Sequence, residues 1–202
     1  MSAQINEWVD WLFAASGLDG FAILAVTIPL GIIQGFFGVF PFATLILLQV
    51  SKLGIGGGLL ASWLVGTVSA LVVYALSRST FADWLERRWL GKLHKYQRWQ
   101  HSMQLYGGWA IIFLRTIPIM PNNLISFSAA IIKMKPKNYL WSNIVGNLSH
   151  IWLFGILSAA VLFPETDVRI LTAGYIVFLL ILATVFIYRY FTYYRHQRRA
   201  EP

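Results

Sequence analysis

The 202-residue chain is 57% hydrophobic and only 12% charged, with a mean hydropathy of +0.62. This lies outside ordinary soluble usage and predicts an all-α integral membrane domain with little room for a separate soluble one. The absence of cysteine excludes disulfides, thiol chemistry and cysteine-ligated metal. The net charge of +8 gathers between the apolar runs and at the C-terminus, a pattern suited to anionic lipid headgroups and cytoplasmic loops and not to nucleic acid.

Residues 1–20 carry a loose helical stripe (Ile5, Trp8, Val9, Trp11, Leu12) with Glu7 and Asp10 opposite. The stretch is too polar to span and lacks the basic start of a secretory signal. It reads as an interfacial helix or as a helix packed on the bundle. From there residues 21–190 form a single membrane domain. Its first part, 21–50, has no charge and is too long for one span. Pro41 divides it into a spanning helix over 21–38 and a shorter re-entrant piece over 40–50. Gly31-x-x-x-Gly35 has the spacing that lets helices approach closely. Gln34 and Gln49 are either buried structural amides or cavity liners. A glycine-rich turn is expected at Lys52–Gly58 and a second span at 59–77.

The most polar portion is 78–106. Phe81, Trp84, Leu85, Trp89, Leu93, Tyr96, Trp99 and Met103 recur every three or four residues, with arginines and lysines between them. That is an amphipathic helix at a membrane surface, or a solvated face packed on the bundle. Its two histidines, His94 and His101, have no metal-ligand partners at useful spacing.

Residues 109–132, WAIIFLRTIPIMPNNLISFSAAII, carry the most informative pattern. The stretch is apolar enough to enter a membrane, yet holds Arg115, Pro118, Pro121, Asn122 and Asn123. An arginine at bilayer depth costs about 2.5–3.5 kcal/mol on insertion scales. Prolines three residues apart prevent a straight helix, and a broken backbone survives in lipid only when protein or a watery cavity surrounds it. A re-entrant helical hairpin with Arg115 and the asparagines near its tip satisfies both constraints. Beyond a short basic turn at Lys133, Lys135 and Lys137, a third span covers 139–162 and carries Asn143, Asn147, Ser149 and His150. A lone histidine in a span is more often a hydrogen-bonded packing residue than a titrating group. The fourth span, 170–188, has no polar centre and reads as lipid-facing scaffold, and 191–202 as a basic cytoplasmic tail.

Basic residues set the expected orientation. The tail, the 133–137 turn and 78–106 are cytoplasmic, which places both termini inside and makes the two hairpins enter from opposite sides. The result is four transmembrane helices plus two opposed re-entrant hairpins. At an offset of 80 residues Pro41 falls on Pro121, and Ser62-Trp-Leu-Val-Gly66 on Ser142-Asn-Ile-Val-Gly146. An inverted-topology repeat of this kind is a transporter signature.

Phe113-Leu-Arg115-Thr-Ile-Pro118-Ile-Met-Pro121 with Asn122, then Ser126 and Ala129-Ala130, then Asn143 and Gly146, resembles the core of the DedA/VTT-domain superfamily, the SNARE-associated Golgi proteins. The resemblance covers about 20–165 and is most specific in the second hairpin. It implies opposed re-entrant hairpins and movement of lipids between leaflets: undecaprenyl phosphate or phospholipid in bacterial members, phospholipid scrambling in eukaryotic ones. The chain departs from the bacterial pattern in lacking an acidic residue at Pro41-Phe-Ala-Thr44 and in having Pro121 where a second arginine is frequent. The Pro-x-x-Pro form is closer to the Tvp-like branch.

The expected function is therefore a lipid translocase or scramblase in a bacterial inner membrane. Arg115 is the headgroup counter-charge, and Pro41, Pro118, Pro121, Asn122, Asn123, Ser126 and Asn143 complete the site. A phosphate crossing a low-dielectric region needs a cation and several donors to replace its water. The alternative for Arg115 is structural, bonding carbonyls loosened by the proline break. A small-solute or ion transporter on the same scaffold and a non-transporting membrane organiser are the competing functions. No nucleophile–base pair, metal-ligand cluster or phosphate-binding glycine loop argues for an enzyme, and no cofactor is implied. The expected partners are lipids with anionic or phosphate headgroups, with a homo-oligomer left open.

Overall fold

A computed structural model describes residues 20–79, 97–117 and 121–200, with 97–98 and 189–200 given by backbone alone. Every described element is helical. A 3-10 turn (Gly20–Ile23) leads into α1 (Leu24–Phe37), followed by α2 (Phe42–Ser77), α3 (Gln97–Tyr106), α4 (Gly108–Thr116), α5 (Asn122–Ile131), α6 (Pro136–Leu162) and α7 (Arg169–Ala200). Four stretches are long and apolar enough to cross a membrane: Gly20–Phe37, Phe42–Ser77, Pro136–Leu162 and Arg169–Tyr188. They correspond to the four spans expected from sequence. The expected N-terminal helix lies outside the described residues but for Gly20. Of the amphipathic 78–106 segment, 80–96 lie outside them and Gln97–Tyr106 is helical.

α1 stops where glycine allows a left-handed turn. Gly38, at φ 59°, donates its N–H to the Gln34 carbonyl at 2.7 Å. Pro41, extended at ψ 136°, then starts α2. Although helical for 36 residues, α2 is not one rod. Ser62 Oγ donates to Gln49 Oε1 at 2.5 Å, whereas thirteen residues of straight helix would separate them by about 20 Å. The reversal falls at Gly54, whose φ 69° and ψ 178° are open only to glycine. The 42–53 arm therefore folds back along 55–77, and Gly58 lies directly against the Val50 backbone. The sequence placed a turn over all of Lys52–Gly58. Gly54 alone leaves the helical region, and the remaining glycines continue the helix because at Gly58 they serve close packing instead.

The second half repeats this plan. α4 ends at Thr116, Pro121 (ψ 137°) starts α5, and the chain reverses beside Lys133 (φ 53°) into α6. Here too a polar bond thirteen residues apart closes the hairpin, from Tyr139 Oη to Ser126 Oγ at 2.8 Å. The two halves meet along the second arm of α2 and α6. Trp63 Nε1 donates to the Ile144 carbonyl at 3.0 Å, Asn143 Nδ2 to Thr67, and Tyr139 Oη to Ala70, while Leu59 packs on Gly155. As residue numbers rise on α2 they fall on α6, so corresponding helices of the halves are antiparallel, the relation an inverted repeat requires.

Gly31 and Gly35 seat α1 on Val65, Ser69 and Val73, so the small-x-x-x-small pair packs within the monomer. Gln49 is a buried structural amide: it donates to Thr27 Oγ1 at 3.0 Å and accepts from Ser62. α7 touches the rest through Tyr175 and Phe178 against Trp152 and through Phe186 against Tyr106 and Trp109, and most of its apolar length stays exposed, as expected of lipid-facing scaffold.

Candidate functional site

Arg115 is the most buried charge in the described protein, 1% exposed, in the last turn of α4. Its space is made by Gly146 of α6, where an added Cβ would stand 2.9 Å from Arg115 Cδ. Nη1 donates to Asn143 Oδ1 at 2.5 Å, and Nη2 to Tyr139 Oη and Ser126 Oγ at 3.3 and 3.4 Å. Nε has no partner. No carboxylate approaches it: the described carboxylates, Glu165 and Asp167, lie beyond the far end of α6, and the one described ion pair is Arg169 with Asp167. Among the described residues the guanidinium is thus bonded to neutral dipoles alone. An isolated buried cation is among the most costly groups a fold retains.

Next to this cation lies a partly open cavity between α1, α2 and α5. Its volume is about 20 Å³, room for roughly one water. Gln34, Ser69, Asn122, Asn123 and Ser126 supply its polar lining. Ser69 Oγ and Asn122 Oδ1 are buried there without a hydrogen-bond partner. Phe42 and Asn122, the first residues of the two proline-started helices, both line it. Neither start is capped by its proline, and the first turn of a helix carries the positive end of its dipole. The first residues of both helices thus border one small polar space, and Ser126 joins that space to Arg115.

The chain belongs to the VTT domain family. The VTT domain model matches residues 16–160, which takes in α1 through most of α6, with Arg115, its partners and the adjoining cavity. No curated protein and no solved structure gives a significant match. The matched VTT domain and the four apolar helices make this an integral membrane protein.

Within the VTT domain, the residues selected from sequence divide in three ways. Arg115, Ser126 and Asn143 are in direct contact. Asn122 and Asn123 line the adjoining cavity, with Asn123 Oδ1 accepting from the Leu124 N–H at 2.9 Å. Pro41 and Pro121 act through the backbone, each setting the extended residue from which a helix starts. Pro118 lies outside the described residues. His150 packs on Phe154, ring centroids 4.7 Å apart, the packing role weighed for it from sequence.

Tyr139 is the participant that sequence reasoning missed. It is fully buried, stacks on Tyr74 at 4.0 Å and 12°, and bonds Arg115, Ser126 and the Ala70 carbonyl. Three residues into a span, beside an interfacial lysine turn, a tyrosine looks like a headgroup anchor. Its spacing from Ser126, matching that of Ser62 from Gln49, was the available signal. Tyr139→Phe removes one donor from Ser126 and one acceptor from Arg115. A loss of about 1–3 kcal/mol follows, readable as a lowered Tm in detergent. An unchanged Tm would place no net stability in this hydroxyl.

Proposed function

We propose that this VTT-domain protein moves phosphate-bearing lipids between leaflets, with Arg115 as the counter-charge for the headgroup. The observation that carries the reading is a fully buried arginine with no acidic partner among the described residues, one hydrogen-bonding step from a polar cavity bordered by the first residues of two proline-started helices. Each feature favours an anion. Arginine offers bidentate contact to phosphate, helix N-termini add positive potential, and Asn122, Asn123 and Ser126 replace headgroup water. Of the two arms of α2, only 55–77 is long enough for a bilayer. The 42–53 arm is about 18 Å long, against about 30 Å of hydrocarbon. In this reading both proline-started helices are re-entrant and bring their first turns towards the midplane, while acyl chains stay in lipid.

At about 20 Å³ the cavity has room for roughly one water, so in this reading a phosphate headgroup enters only when the helices around it part. Passage then requires α5 to part from α1 and α2, and the non-helical Gly38–Pro41 link is a place where the chain can bend without losing helical hydrogen bonds.

The test is reconstitution in liposomes carrying fluorescent phospholipid in both leaflets, with a membrane-impermeant reductant added outside. Translocation bleaches label beyond the outer-leaflet fraction. If bleaching stops at that fraction for phospholipid and for a polyprenyl phosphate, the lipid reading fails. Uptake of a water-soluble anion by the same vesicles would then point to a solute transporter.

A further inference from the structure

The ends of the helix bundle differ in charge. Because α2 and α6 are antiparallel, Lys52, Glu165, Asp167 and Arg169 fall at one end of the pair, where two positive and two negative groups cancel. At the other end are Arg78, Lys133, Lys135 and Lys137, all exposed and with no described acidic residue among them.

Two details make this end more than a scatter of surface cations. Arg78 is held in place: its Nη1 donates both to Tyr74 Oη at 2.6 Å and to the Met134 carbonyl at 2.7 Å, while its guanidinium carbon lies 5.6 Å from the Tyr74 ring centroid. Both bonds use one nitrogen, so Nη2 and Nε make no hydrogen bond to a described residue. Since Met134 stands between Lys133 and Lys135, the same contact brings Arg78 to the lysine turn. The second detail is backbone strain. Lys133 has φ 53° and is the only described non-glycine residue with positive φ. It ends α5 where glycine would sit without cost, as Gly38 does at the end of α1. A lysine at such a position sacrifices stability and retains a charge.

We infer that Arg78, Lys133, Lys135 and Lys137 form a surface site for the headgroup of an anionic phospholipid, with Arg78 as its fixed donor. The site is distinct from Arg115 and binds whether or not lipid crosses the membrane. It lies at the outer end of a polar connection, however: Arg78 bonds Tyr74, Tyr74 stacks on Tyr139, and Tyr139 bonds Arg115. A headgroup held here waits beside the buried cation.

Lys133→Gly separates charge from folding, because glycine relieves the strained φ while removing the cation. Retention of phosphatidylglycerol and of phosphatidylcholine by the full-length protein in detergent can be compared by native mass spectrometry. The wild type should retain phosphatidylglycerol preferentially. Lys133→Gly should weaken that retention about fivefold, the effect of one surface cation, with Tm unchanged or higher. Lys135→Gln and Lys137→Gln, on exposed positions, should act in the same direction. Equal retention of the two lipids, undiminished phosphatidylglycerol binding by Lys133→Gly, or displacement of the lipid by inorganic phosphate would each overturn the site. A translocation failure with preferential retention intact would leave this site standing and remove only the transport reading.

Discussion

Arg115→Met and Arg115→Gln reduce lipid translocation at least tenfold, about 1.4 kcal/mol in the barrier, while Tm stays level or rises. The second half of that result separates function from structure. If Arg115 served to hold the hairpin together, its removal would leave partners unsatisfied. Asn143 Oδ1 still accepts from Asn147 Nδ2 at 2.8 Å, and Asn143 Nδ2 still donates to Thr67. Ser126 still pairs with Tyr139, which still reaches Ala70. Tyr139 Oη loses the donor it accepts from but keeps its own hydrogen in use, so each of the arginine's three partners retains a hydrogen bond. What is lost is a buried cation without a counter-charge, and replacing such a group with a neutral side chain of similar length is often neutral or stabilising. Methionine fills the space beside Gly146; glutamine can still bond Asn143. A fall in Tm equal for both variants, together with lost translocation, would make Arg115 a structural residue. Full activity with either variant would remove it from the lipid path.

Gly58→Ala has the largest effect expected on the fold. Its Cβ would stand 2.4 Å from Val50 Cα, 2.6 Å from Val50 N and 2.8 Å from the Gln49 carbonyl carbon. These are backbone atoms, so no side-chain rotation relieves the overlap and the two arms of α2 must separate. Overpacking typically costs about 1–3 kcal/mol and more where backbone must move. Here the movement also strains Ser62 to Gln49 and Gln49 to Thr27, the bonds that fasten the hairpin to α1. Gly56 provides the control within the same glycine run. A Cβ there meets nothing within 4 Å, and alanine favours helix over glycine by about 0.5–1 kcal/mol. Gly56→Ala should raise Tm and Gly58→Ala should lower it sharply or prevent recovery of folded protein. Equal behaviour of the two would mean that the arms of α2 do not fold back as described.

These glycines also illustrate what the sequence disclosed and what it withheld. A cluster at 54–58 announces a break, and Pro41 and Pro121 announce helix starts, because backbone chemistry is local. Which glycine turns and which one packs is not local: it depends on Val50 arriving opposite Gly58. The same division runs through the site. Arg115, Asn122, Asn123 and Asn143 stand out because polar groups are rare in apolar runs, and the spacing of Ser62 and Ser142 revealed the repeat. Tyr139 and Ser69 did not stand out, since tyrosine near a membrane surface and serine in an apolar helix have ordinary local explanations. Gln49 and Gln34 were equivalent on sequence. The fold made the first a fastening between α1 and both arms of α2 and placed the second on the cavity wall, its Nε2 donating to the Phe40 carbonyl at 3.1 Å.

The seam between the halves has a consequence for the order of synthesis. Every bond across it joins residues made far apart in time: Trp63 to Ile144, Thr67 to Asn143 and Ala70 to Tyr139 are separated by 81, 76 and 69 positions. At about 5–20 residues per second of elongation, the second arm of α2 is complete for several seconds before α6 exists. Helices themselves form in about a microsecond. The first hairpin is thus a finished piece of secondary structure waiting in the membrane with one face exposed, and the ribosome's pace, not the folding of either half, sets when the molecule closes.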